Sequence, residues 1–142
     1  MSDLKSIQRL VAVQAVYEVT INDDRSSTSI EEIIKDIIVS SQIKKISKIK
    51  KFDFAKEIYH GVIENKMKID RILDNSLKSK INFASMDILL KSIFRSAIFE
   101  MLIKSKLPKK IVISEYIVIT NRYFGRNECS LLNGVLDNLQ ET

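Results

Sequence analysis

The stretch PKKIVISEYIVITNRYFGRNECSLLNGVLDNL, Pro108 to Leu139, decides the fold class of this 142-residue chain. By residue type its first half resembles a β-strand, because Ile, Val, Tyr and Thr crowd Ile111 to Thr120. By spacing it is a helix. Strict alternation fails where Glu115 and Tyr116 interrupt it and where Ile117, Val118 and Ile119 follow one another. Ile113, Ile117, Thr120 and Phe124 instead form one row at intervals of three and four, with Val112, Tyr116, Ile119 and Tyr123 beside it. A lone strand among helices would also lack a partner for its backbone ladder. The spacing therefore predicts a buried helix ending near Gly125. A last helix follows from Ser130 to about Gln140, with Leu131, Leu132, Val135, Leu136 and Leu139 inward.

The rest of the chain agrees with an all-α reading. Three glycines and one proline are scarce punctuation for an all-β fold, which spends such residues on its many turns. Leu4 to Ile21 carries one stripe through Ile7, Leu10, Val11, Gln14 or Ala15, Val16 or Tyr17, and Ile21. Lys5 and Arg9 stand one turn apart, away from much of it. Asn22 to Ser29 is a loop by composition, and Ser29 with Glu32 forms a capping-box pattern for a helix through Ile30, Ile33, Ile34, Ile37 and Ile38, extending as far as Ile43. Lys44 to Lys51, KKISKIKK, is the densest positive charge in the chain. It reads either as a solvated, mobile connector or as an electrostatic tether for phosphates.

Asp53 then caps a helix from Phe54 to about Lys68, with Phe54, Ile58, Val62 and Met67 on one side. Asp70 to Lys78 is a shorter helix. Ser85 opens the most apolar helix, Met86 to about Lys104, whose only polar strip is Lys91, Ser92, Arg95, Ser96 and Glu100. Leu107-Pro108 ends it, since the residue before proline avoids helical geometry. The sum is about seven helices.

Composition excludes several function classes. Charged residues at 29% and hydrophobic ones at 45% describe a soluble globular protein. No apolar run approaches the ~20 residues that span a bilayer, and the polar start MSDLKSIQRL is no signal peptide. One cysteine, Cys129, allows no internal disulfide, and one histidine, His60, assembles no zinc site. Neither has catalytic companions in sequence, so no catalytic, metal or cofactor site is expected, and the expected address is the cytoplasm. A net charge of +5 suits an anionic partner.

Particular segments also resemble a known family. Val13-Gln14-Ala15-Val16-Tyr17 is similar to the A-V-Q-A-L-Y signature of the NusB family of transcription antitermination factors. Gly61-Val62 with Asn65 and Asp70 resembles that family's G-V…N…D segment. Phe94-Arg95-Ser96-Ala97-Ile98-Phe99-Glu100-Met101 is similar to L-R-x-A-x-Y-E-L. Pro108 with Val112-Ile113-Ser114-Glu115 resembles P-x-x-V-x-I-N-E, and Leu132-Asn133-Gly134-Val135-Leu136-Asp137 nearly reproduces V-N-G-V-L-D. These segments follow the family's order and span most of the chain.

The resemblance implies one RNA-binding domain built as two small helical bundles packed across each other, about residues 1–80 and 81–142. It implies a non-enzymatic factor that binds boxA-type single-stranded RNA in nascent ribosomal RNA transcripts. The implied partners are NusE, a small-subunit ribosomal protein, and the RNA polymerase antitermination complex. The implied contacts are Lys5 and Arg9 to phosphates, with Gln14 and Tyr17 on the matched motif. Arg122, Tyr123 and Asn127 flank the turn before the last helix and would extend this surface, although Tyr123 also reads as core. Arg95, Glu100 and Asn133-Gly134 read as structural: a charge on so apolar a helix needs a partner, Gly134 would let helices approach closely, and Asn133 would bond a neighbouring loop.

The family's arginine-rich N-terminus is reduced here to Lys5 and Arg9, which predicts weaker RNA affinity for the protein alone and a shallower salt dependence. NusE or Lys44–Lys51 would then compensate. A helical protein-binding module without sequence-specific RNA recognition is the alternative, and a homodimer that occludes the basic first helix stays open. A NusB-like domain also occurs fused to ribosomal RNA cytosine methyltransferases. This sequence has neither a Gly-rich cofactor loop nor a catalytic cysteine motif, so that reading fails.

Overall fold

A computed structural model describes residues 3–22, 24, 27–43, 45–78 and 81–139. Lys44, part of the loop before Ser29 and the expected helix end at Gln140 lie outside them. The protein is all-α, with seven helices and no strand among the described residues. They are α1 (Asp3–Ile21), α2 (Ile30–Ser40), α3 (Asp53–Glu64), α4 (Lys66–Leu77), α5 (Ile88–Ile98), α6 (Lys109–Tyr123) and α7 (Arg126–Asp137). No described helix is long and apolar enough to cross a membrane.

Two helices organise the packing. The first, α1, lies against α2, α3 and α5, burying Leu10, Val11, Ala12, Val13, Ala15 and Val16. The apolar α5 touches α1, α3, α4, α6 and α7, so it is the shared core of both halves of the chain. Its expected polar strip is not a solvent face: Ser92, Arg95, Ser96 and Glu100 are all buried. The serine hydroxyls donate back to the carbonyls of Ile88 and Ser92 one turn earlier, which satisfies them without a partner helix. Arg95 forms a two-pronged pair with Asp70 on α4, at 2.8 and 3.0 Å.

The disputed stretch is a helix, α6, burying Val112, Ile113, Tyr116, Ile119 and Thr120. Several boundaries differ from the sequence reading for local reasons. Asp87, not Ser85, caps α5, its Oδ1 accepting from the N–H groups of Leu89 and Leu90. After Ile98 the helix widens into a π-helical segment, Phe99–Lys104, closed by Ser105 at φ 51°. The chain turns at Asn65, whose backbone and side-chain N–H groups both donate to the Gly61 carbonyl. That turn starts α4 at Lys66 and takes Met67, expected on one side of a single helix with Phe54, Ile58 and Val62, away from them to 81% exposure. The last helix begins at Arg126, because Glu128 Oε1 accepts from the Gly125 N–H at 3.2 Å and fixes an earlier start. Gly134 does not serve close packing, since a Cβ there would meet nothing within 4 Å. Asn133 beside it is likewise exposed.

Candidate nucleic-acid interface

Arg9 is held by two carboxylates. Its Nε and Nη2 donate to Oε1 and Oε2 of Glu100 at 2.8 and 2.7 Å, and Nη1 donates to Glu115 Oε1 at 3.2 Å. Ser6 Oγ donates to the same Glu115 oxygen and the Tyr116 hydroxyl to Glu100 Oε1. Burial lowers the Arg9 pKa, but the hydrogen bond and charge of Glu100, with the charges of Tyr116 and Glu115, together outweigh it, and the pKa stands above its ordinary value. Burial and the charge of Glu100 push the Tyr116 phenol well up. The π-helical segment supplies Glu100, and α6 supplies Glu115 and Tyr116. Arg9 therefore ties α1 to both elements.

This corrects the expectation for Arg9. It is 2% exposed and committed to two carboxylates. A phosphate would have to displace Glu100 from a buried guanidinium, which is costly. Arg9 holds the surface in place rather than presenting itself there.

That surface is a run of adjoining clefts along α1. At one end Lys5, Lys104, Lys106, Phe54 and Leu107, with the carboxylates of Asp53 and Glu57, wall a cavity of about 330 Å³ that Arg9 and Glu100 also line. Three cations surround one ring there: Lys5 Nζ, Arg9 Cζ and Lys104 Nζ lie 5.2, 5.1 and 5.4 Å from the Phe54 centroid. Such contacts favour keeping positive charge against an aromatic face. Lys104 also pairs with Glu57 at 2.6 Å. Beyond the Arg9–Glu115 contact, Ser6, Ile7, Leu10, Val118 and Arg122 line an apolar cleft of about 280 Å³ between α1 and α6. Arg122 and Ile43 are shared with the next cleft, about 350 Å³, which Gln14, Tyr17, Glu18 and Tyr123 complete.

The expected site residues thus divide. Gln14, Tyr17, Arg122 and Tyr123 come together on one cleft, and Gln14 Nε2 donates to the Tyr123 hydroxyl at 2.8 Å. Tyr123 is not core: it is 37% exposed at the rim. Tyr17 is half-buried, with its ring on the cleft. Lys5 is exposed at the opposite end. Asn127 stands apart, exposed in the first turn of α7. Sequence reasoning missed Lys104, Lys106 and the placement of Phe54. The basic Lys104-Ser105-Lys106 run after an apolar helix was the one available signal.

Comparison with known proteins agrees with this architecture. The description of the NusB family matches residues 6–141. The transcription antitermination protein NusB of Rickettsia typhi is 33% identical, over 96% of this chain and 91% of the relative. That of Rickettsia bellii is 32% identical, over 95% and 88%. Among solved structures, T. maritima NusB superposes with a TM-score of 0.75 at 24% identity, covering 98% of this chain and 92% of that one. The antitermination factors NusB and NusE in complex with double-stranded RNA give 0.76 at 18% identity, over 98% and 97%. With the family matched from residue 6 to residue 141 and a third of positions shared with a full-length relative, this chain belongs to the NusB family.

Proposed function

We propose that this protein is a non-enzymatic antitermination factor, acting as one RNA-binding domain that takes boxA-type single-stranded RNA together with NusE. One observation carries the reading: the run of clefts along α1 joins a cationic end at Lys5 to an aromatic end at Tyr17 and Tyr123. Unpaired RNA is held by such combinations, with cations on the backbone and aromatic rings stacking the bases. The amide of Gln14 and the guanidinium of Arg122 add hydrogen-bonding groups for base edges. The solved NusB–NusE assembly with double-stranded RNA supports RNA and NusE as ligands of this fold, and the single-stranded preference rests on the groove. Engagement of the RNA polymerase antitermination complex follows as the role of the loaded factor.

Competition tests this. With NusE present, a boxA-like RNA should displace a labelled copy better than a scrambled strand or a duplex of the same length. Equal displacement by all three would favour a helical protein-binding module or a nonspecific polycation.

A further inference from the structure

The connector at Lys45–Lys51 is a built element rather than a loose tether. Ile46 and Ile49 are buried, and a 3₁₀ turn spans Ile46–Lys48. The anchored isoleucines leave Lys48, Lys50 and Lys51 exposed. Lys50 and Lys51 then meet Lys35 of α2 and Lys56 of α3 around one cavity of about 400 Å³, floored by Ile34, Ile38 and Phe52. Its two carboxylates are Asp53 and Glu31, and Glu31 is held by Lys56 at 3.1 Å. Four ammonium groups against two carboxylates leave the cavity net positive, and a concave wall concentrates that field. The cavity adjoins the Lys5 cleft: Asp53 lines both, with Phe52 facing one and Phe54 the other.

We infer that this cavity is a second phosphate-binding site for the same RNA strand, extending its path from the Lys5 cleft across α3 to α2. The inference rests on the RNA reading above. It accounts for how a chain with few N-terminal cations, one of them locked to Glu100, gathers enough counterion release to hold RNA. Bases are not read there. The lysines contribute affinity that depends on strand length and salt, not on sequence.

The test uses the full chain with NusE and a boxA-like strand of about 8 nucleotides or one of about 20, the first within and the second beyond the ~4–16 nucleotides of a typical single-strand site. Lys35→Gln, Lys50→Gln and Lys51→Gln are combined, and an all-Arg version of the same positions keeps the charge. For the long strand the slope of log affinity against log salt should become shallower by about 2 in the Gln variant, at about 0.7 per lost contact. It should be restored by Arg and unchanged for the short strand. An unchanged long-strand slope would overturn the inference and leave the cavity to an acidic protein segment. An equal loss for both strands would overturn it too, by showing a diffuse field. Failure of the unaltered protein to bind either strand with NusE present would instead reject the RNA reading itself.

Discussion

Arg9 and Glu100, 91 residues apart in sequence, form a two-pronged ion pair at 2.8 and 2.7 Å with both side chains 2% exposed. Breaking such a pair from one side strands a buried charge, at about 3–5 kcal/mol. Arg9→Ala and Glu100→Ala should each lower stability by that amount in denaturant titrations. Arg9→Met combined with Glu100→Leu should cost less than either single change, because the desolvation of both ions disappears with them. Arg9→Lys should not rescue, since an ammonium lacks the planar fork.

The Tyr116 hydroxyl donates to Glu100 at 3.0 Å, and its pKa is raised by burial and by that carboxylate. Its folded-state value stands above its unfolded one, so the folded protein keeps a proton that the unfolded chain gives up above about pH 10. Stability from this group is fully present below that pH and is lost as pH rises toward the folded-state pKa. Thermal melts from about pH 9 to about pH 11 should show a steeper loss for the unaltered protein than for Tyr116→Phe. Parallel losses would show that Tyr116 is not the responsible group.

Two glycines should behave oppositely. A Cβ at Gly61 would come within 2.1–2.6 Å of the Phe99 ring, deep between α3 and the π-helical segment. Overpacking of this kind costs about 1–3 kcal/mol, more than the ~1 kcal/mol gained in helix propensity, so Gly61→Ala should destabilise. Phe99→Leu in the same chain should recover part of the loss. Gly134 lies inside α7 with open space around it. Gly134→Ala should therefore stabilise by about 0.5–1 kcal/mol.

On the RNA reading proposed above, the groove would make two kinds of contact that salt separates. Lys5→Gln should reduce the salt slope by roughly 0.7 and weaken all strands alike. Tyr17→Ala should leave the slope unchanged while costing about 1–3 kcal/mol of binding, the worth of one stacked base. Electrophoretic or anisotropy titrations at several salt concentrations read both effects.

Much of this was legible in the sequence, and the failures share a cause. The helical identity of α6 followed from the spacing of Ile113, Tyr116, Ile119 and Thr120, which is a local property. The start of α7 was also local but overlooked: Gly125 and Glu128 carry the capping relation three residues apart. Arg9 was not readable. On α1 it looks like one more surface cation, and only partners 91 and 106 residues away make it a buried one. Gly134 misled for the converse reason, since a glycine within a helix suggests close packing that the tertiary fold does not supply. The aromatic cleft was half visible, because Gln14 and Tyr17 are one helical turn apart, while Tyr123 joins them only through the packing of α6 on α1.

Mapping bound RNA onto the backbone amides of the isotopically labelled protein tests the central claim most directly. With NusE and a boxA-like strand, shifts should concentrate at Lys5, Gln14, Tyr17, Arg122 and Tyr123, along one continuous path beside α1. Shifts confined to the separate cleft lined by Leu77, Leu131 and Gly134 would contradict the assignment of this groove to RNA.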